Sequence, residues 1–204
     1  MPISYAICVC NEHREFADLI HFLQIVKRSI DEIVVLVDSR HSDPPVLKEY
    51  DDIVVVRREF DNDFAAHKNF LGTCCSKDYI FNIDADEMPT EKLIRLLETV
   101  QNLEVLAIPR INIIPGCTDK WLEEQKFVAN NLGWINWPDF QTRFYKRTMK
   151  WEGRVHEKII SQHMIALHAD PSIAMWHIKS VKRQTSQNKY YDTLATPTLH
   201  PKDA

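Results

Sequence analysis

The 204 residues are 45% hydrophobic and 26% charged, the balance of a folded globule with one sizeable α/β core. A formal net charge of −4 argues against broad electrostatic capture of nucleic acid, which requires a basic face, so no nucleic-acid partner is expected. There is no apolar run of about 18 residues to serve as a transmembrane segment, and the opening MPISYAICVCNE lacks a basic leader; the chain reads as cytoplasmic, with peripheral contact at a membrane surface left open.

Ile3 to Val9 is a short apolar, β-rich run. From Glu12 onward, Phe16, Leu19, Ile20, Leu23, Val26 and Ile30 recur at helical spacing, so the pattern predicts a strand followed by a helix. Ile33 to Val37 is a second strand, ended by Asp38 and the loop SRHSDPP, whose two prolines forbid a helix interior. Ile53 to Val56 gives a third strand, and Asp63 to Cys75 a helix with Phe64, Leu71 and Cys75 on one side.

Tyr79 to Ile83 is a fourth strand running into Asp84, Asp86 and Glu87, after which Pro89 opens a helix carrying Ile94, Leu97 and Val100. Leu103 to Ile108 returns as a fifth strand. Apolar strands alternating with helices predict an α/β fold, a three-layer sandwich around a mostly parallel, mixed sheet. In such sheets ligands sit beyond the carboxyl ends of the strands, which places Asn11, Asp38 and the Asp84 cluster along one rim.

After Arg110 the alternation fails. Residues 111–138 hold two of the four glycines and Trp121, Trp134 and Trp137, which fits either an irregular segment over a pocket or aromatic packing under a long loop. Phe140 to Lys146, Val155 to Ile160 and Ile173 to Ile178 read as further strands, Val181 to Leu194 as a closing helix, and TPTLHPKDA as a tail of low apolar content. The five cysteines, with Cys74 and Cys75 adjacent, read as reduced thiols, and no Cys/His spacing indicates structural zinc.

Carboxylates at i and i+2 on a strand end, here Asp84 and Asp86, can point the same way and clamp Mn²⁺ or Mg²⁺ through hard oxygens. The plainer alternative is that Asp84, Asp86 and Glu87 solvate a turn and favour the positive end of the next helix. A regular strand over 154–160 would send His156 and Glu157 to opposite faces, so that only a bulge could bring both to one pocket.

The ordered segments ISYAICVCNE, VVLVDS, DFAAHKN and YIFNIDADE resemble the successive motifs of family 2 glycosyltransferases of the GT-A fold. GWINWPDFQTRFYKR followed by WEGRVHEKI is similar, more narrowly, to the second half of lipopolysaccharide-core and related glucosyltransferases. The resemblance implies one GT-A domain: a nucleotide-binding half to about residue 110, an acceptor or covering half from about 111 to 195, and a tail over 196–204. It also implies a metal-dependent, inverting transfer from a nucleotide sugar, a UDP-sugar favoured, to a glycan or other hydroxyl acceptor.

By the same resemblance, Asn11, Glu12 and Asp38 border the nucleobase and ribose, Lys68 and Asn69 lie near the nucleotide, Asp84 and Ala85 lie beside the ribose or sugar, and Asp86 is on the metal. His177, in MWHIKS, completes the metal or diphosphate site, with Lys179, Lys182 and Arg183 beyond it; a satisfied core histidine is the plainer reading. Glu157 in VHE and Asp139 in PDFQTR compete as the general base that deprotonates the acceptor. The chain departs from the family where DSRHSDPP replaces a D-D-G-S type loop, which leaves the nucleobase open. Two other classes fit less well: a nucleotidyltransferase, which needs a Gly-rich phosphate loop although no glycine precedes Gly72, and a non-catalytic nucleotide-sugar binding module.

Overall fold

The structure, a computed structural model, describes residues 1–195. Strands β1 (Ile3–Val9), β2 (Glu32–Asp38), β3 (Ile53–Arg58) and β4 (Tyr79–Asp84) lie parallel in the order β3-β2-β1-β4. They are separated in sequence by helices α1 (His13–Val26) and α2 (Phe64–Cys74). The sheet continues through β7 (Ile135–Lys146), antiparallel to β4, then β6 (Val105–Ile113), β11 (Met175–Ile178) and the short β5 (Glu87–Pro89). This is the mostly parallel, mixed α/β sheet that the alternation predicts.

The central strands are apolar throughout because both faces are covered. Ile3, Tyr5, Ile7 and Val9 of β1 join Ile33, Val35 and Val37 of β2 in one core, under Phe16, Leu19, Ile20 and Leu23 of α1 and under α3 (Glu91–Thr99). Ala6, Val34 and Leu36, one residue out of step, join Ala65 and Leu71 of α2 in the core on the opposite face. All five cysteines are free, and burial pushes the Cys8 and Cys75 thiols up to about 12, so both stay protonated and inert. Among the described residues no helix is long and apolar enough to cross a membrane.

Several element boundaries differ from the sequence expectation, each for a local reason. Helix α1 stops at Val26, because the Asp31 carboxylate accepts from the backbone and side chain of Arg28 and from the Ile3 amide; Ile30 is left 51% exposed. Pro89 is not a first helical residue: it pairs with Met175 as the last residue of β5, and Thr90 caps α3 by accepting from the Leu93 amide at 3.2 Å. The segment after Arg110 is more regular than predicted, with β6 reaching Ile113, α4 (Asp119–Gln125) capped by Thr118, and β7 starting at Ile135. Residues 155–160 form only the two-residue strand β9 (Lys158–Ile159), paired with β8 (Trp151–Glu152). The tail 196–204 lies outside the described residues.

One buried group makes the fold sensitive to pH. His67 on α2 is 6% exposed, its Nδ1 has no partner, and burial, aided by the Arg58 charge, pushes its pKa down from 6.5 to about 4. The unfolded chain therefore takes up a proton that the folded chain refuses, and stability falls as pH drops through that window, by at most about 1.4 kcal/mol per pH unit. Urea unfolding at stepped pH should give a flatter slope in His67→Leu than in the wild type, the difference being up to this amount per pH unit.

Candidate active site

The acidic turn is built from beneath. Strand β4 ends at Asp84, the chain turns through Ala85 and Asp86, and Glu87 begins β5 with its side chain fully buried. Glu87 accepts from the Asp84 amide at 3.0 Å, from Arg110 at 2.8 Å and from Arg143 at 2.5 Å. The same Arg143 nitrogen donates to Asp84 Oδ2 at 2.5 Å, and the Arg143 side chain is only 4% exposed. The three acids therefore divide: Glu87 turns inward as a structural counter-ion, while Asp84 and Asp86 face the cleft.

Burial opposes ionisation of Asp84, but Arg143 and Lys68 outweigh it and hold the carboxyl well below the usual range. At Asp86 burial is likewise outweighed, by contact with His177 and by the Lys179 and Arg183 charges. Asp86 Oδ2 lies 3.4 Å from His177 Nε2, 3.3 Å from Lys179 and 3.4 Å from Arg183. Strand register delivers His177: it sits opposite Glu87 on β5 and Asn112 on β6, and its Nδ1 is 2.7 Å from Asn112 Oδ1. Burial of His177 pushes its pKa down, favouring the neutral ring. A carboxylate and an imidazole nitrogen this close, with the second ring nitrogen anchored, are a donor set that fits one divalent cation.

Two clefts meet at this rim. One, of about 630 Å³, runs from the ends of β1 and β2 to Asp84 and Asp86. The other, of about 620 Å³, lies over β6 and β7 and is walled by Asp139, Arg143 and His156 among others. Lys68, Asp84, Glu157, Lys179, Gln187 and Tyr191 line both. Glu157 Oε1 is 2.6 Å from Lys68 Nζ, which also lies 4.5 Å from the centre of the Trp151 ring. Helix α5 (Val181–Ala195) carries Gln187 and Tyr191 across the junction. It is tied down by Arg183 to Glu12 at 2.7 Å and by Asn188 to Gln125 of α4 at 2.7 Å.

Residues 4–173 match the family described as Glycosyl transferase family 2. The chain belongs to that family. No curated protein matches it in sequence. Among solved structures it is similar to Staphylococcus aureus TarS 1-349, with a TM-score of 0.59 and 12% identity over 87% of this chain and 60% of that one. It is similar too to the same protein in complex with UDP-GlcNAc, with a TM-score of 0.57 and 13% identity over 88% of this chain and 59% of that one. For TarS 1-349 in complex with UDP the TM-score is 0.60, at 11% identity over 95% and 65% of the two chains. The chain thus spans about three fifths of the TarS 1-349 structures, and at such identities the likeness establishes the shared GT-A architecture.

Within this family 2 scaffold, Asn11, Glu12, Asp38, Lys68, Asp84, Ala85 and Asp86 all line the first cleft. Asn69 is a correction: its amide brackets the Trp151 backbone, donating to the carbonyl and accepting from the N–H, both at 2.9 Å, and it lines neither cleft. Lys182 is exposed and lines neither cleft, whereas Lys179 and Arg183 reach Asp86. Asp38 is held by a fork from Arg40, whose Nη2 donates at 2.6 Å.

His156 and Glu157 also differ from the strand expectation. Gly153 at φ +96° and His156 at φ +56° fold the segment into a turn, and both His156 and Glu157 line the second cleft. Trp134 packs edge-on against Trp137 and Trp176, while Trp121 donates to Thr185 on α5 at 3.2 Å. The sequence reading missed Arg110, Asn112 and Arg143; a faint signal was present, since Arg110 and Asn112 share a strand face and Arg143 closes PDFQTR.

Removing one partner from a buried ion network leaves carboxylates unpaired, at a cost of about 3–5 kcal/mol. Arg143→Met should lower the unfolding free energy measured in urea by that order, and an unchanged value would show that the turn is held by other means.

Proposed function

We propose that the protein transfers a sugar from a nucleoside-diphosphate sugar to an acceptor hydroxyl, with the donor in the first cleft, the acceptor in the second and Glu157 as general base. The observation that carries this reading is the junction: Glu157, like Asp84, lines both clefts, with a cationic partner that fixes it. Family membership supports sugar transfer, and the TarS structures in complex with UDP-GlcNAc and UDP favour a uridine nucleotide.

Asn11, Glu12 and Asp38 stand at the distal end of the donor cleft, where the base and ribose would lie. Lys179 and Arg183 offer donors for the diphosphate, and Asp84 a carboxylate for the ribose or sugar. Asp86 and His177 would hold Mn²⁺ or Mg²⁺, which when bound supplies positive charge to the departing diphosphate. In a single in-line step the acceptor oxygen forms the bond to the anomeric carbon, the bond to the diphosphate oxygen breaks, and Glu157 takes the hydroxyl proton. The anomeric centre inverts.

Asp139, the competing base, is poorly suited to that task. Its Oδ2 accepts from Arg110 Nε at 2.9 Å, Arg110 Nη2 at 2.7 Å and Asn112 at 2.8 Å, and its Oδ1 from Gln141 at 2.6 Å. Burial raises the pKa of Asp139, but Arg110 and these hydrogen bonds outweigh it and leave a weakened base. Glu157 gives only Oε1 to Lys68.

A thermal-shift panel of UDP-, GDP-, dTDP- and CMP-sugars with and without Mn²⁺ tests the donor, since a ligand that binds only the folded state raises its stability. One diphosphate donor should stabilise the wild type in a metal-dependent way, and Asp86→Ala should lose the metal dependence. Glu157→Gln should keep the donor shift yet release nucleoside diphosphate over a glycan acceptor panel about 10²–10⁴-fold more slowly. Wild-type turnover in Glu157→Gln would remove Glu157 from the base role.

A further inference from the structure

Three strands carry a connected polar chain across one face of the sheet. Arg110 and Asn112 lie two residues apart on β6, Asp139 stands opposite Arg110 on β7, and His177 stands opposite Asn112 on β11. The hydrogen-bonding types along this chain leave one consistent assignment. The Asp139 carboxylate, ionised beside Arg110, only accepts, so the Asn112 group that meets it at 2.8 Å is the NH₂. That orientation turns the Asn112 carbonyl to His177 Nδ1 at 2.7 Å, and a carbonyl only accepts, so Nδ1 must carry the proton. A ring that ligates a cation must be neutral, and with the proton held on Nδ1 its Nε2 is then the bare nitrogen, 3.4 Å from Asp86 Oδ2.

A bare Nε2 and the Asp86 carboxylate are both acceptors, a pair that a divalent cation can bridge in place of the Lys179 and Arg183 contacts to Oδ2. We propose that Asp139 and Asn112 are positioning residues that fix His177 as the Nδ1–H tautomer and present its bare Nε2, together with Asp86, to a divalent cation. This rests on the metal reading above, and gives Asp139 work other than that of the acceptor base. The Arg110 guanidinium starts the chain: it donates to Asp139 and to Glu87, so the metal ligand and the acidic turn share one anchor. Partners of this kind, one bond removed from a ligand, typically change metal affinity 10- to 100-fold when lost.

The test uses the whole protein labelled with ¹⁵N-histidine, its ring resonances recorded at mildly alkaline pH, with His177→Gln to assign the signal. The wild type should give a pyrrole-type nitrogen at Nδ1 and a pyridine-type nitrogen at Nε2, and Mn²⁺ should broaden the His177 signal before those of the other histidines. Asn112→Leu, close in size but without an acceptor, should lose the fixed tautomer and bind Mn²⁺ about 10- to 100-fold more weakly by calorimetry. Unchanged remaining histidine signals would report an intact fold. A wild-type His177 protonated on Nε2, or an Asn112→Leu protein with the wild-type tautomer and Mn²⁺ affinity, would overturn the proposal. A wild type with the Nδ1–H tautomer but no Mn²⁺ affinity in the presence of any donor would overturn the metal reading while leaving the polar chain in place.

Discussion

The site depends on a guanidinium that is almost wholly buried. Arg143 extends from β7 under the turn after β4 and is shared between Asp84 and Glu87, while Arg110 from β6 takes a second bond to Glu87. Two carboxylates and two guanidinium groups at this depth are tolerated because each negative charge meets a positive one within hydrogen-bonding distance. Glu87 also accepts the Asp84 amide, so the network fixes the backbone of the turn as well as its side chains. Asp86 is then presented to the cleft by a rigid support, on the side where His177, Lys179 and Arg183 converge.

That support lies at the carboxyl ends of β1, β2 and β4, where parallel strands leave a crevice, and the later strands add a second crevice beside it. The covering elements come from distant parts of the chain. The turn carrying His156 and Glu157 is stapled to α2, where Asn69 grips the Trp151 backbone and Lys68 meets Glu157. Helix α5 closes over both crevices and returns Arg183 to Glu12, a separation of 171 residues. The two crevices are thus joined through α2 and α5, with Lys68, Glu157, Gln187 and Tyr191 on the shared wall.

Register decides which polar groups can cooperate. Arg110 faces Asp139 and Asn112 faces His177 because β6 pairs antiparallel with β7 and parallel with β11 at those residues. A slip of one residue would send any of these side chains to the other face. The polar chain from Arg110 to Asp86 therefore records the pairing of four strands, β7, β6, β11 and β5, and two of them, β7 and β11, lie in the part of the sequence where alternation breaks down.

Local pattern alone determined the first half of the molecule: continuous apolar strands separated by amphipathic helices can bury both faces only as a covered parallel sheet, and its carboxyl rim then holds Asn11, Asp38, Asp84 and Asp86. Motif order added the family. Tertiary structure decided what the acids and bases do. Glu87 became a buried counter-ion, Asp139 a saturated acceptor, Asn69 a backbone clamp, and His156 joined Glu157 on one wall because the chain turns there. These roles rest on partners 23 to 82 residues away and on left-handed backbone at Gly153 and His156, quantities set by long-range packing, which no short window of sequence contains.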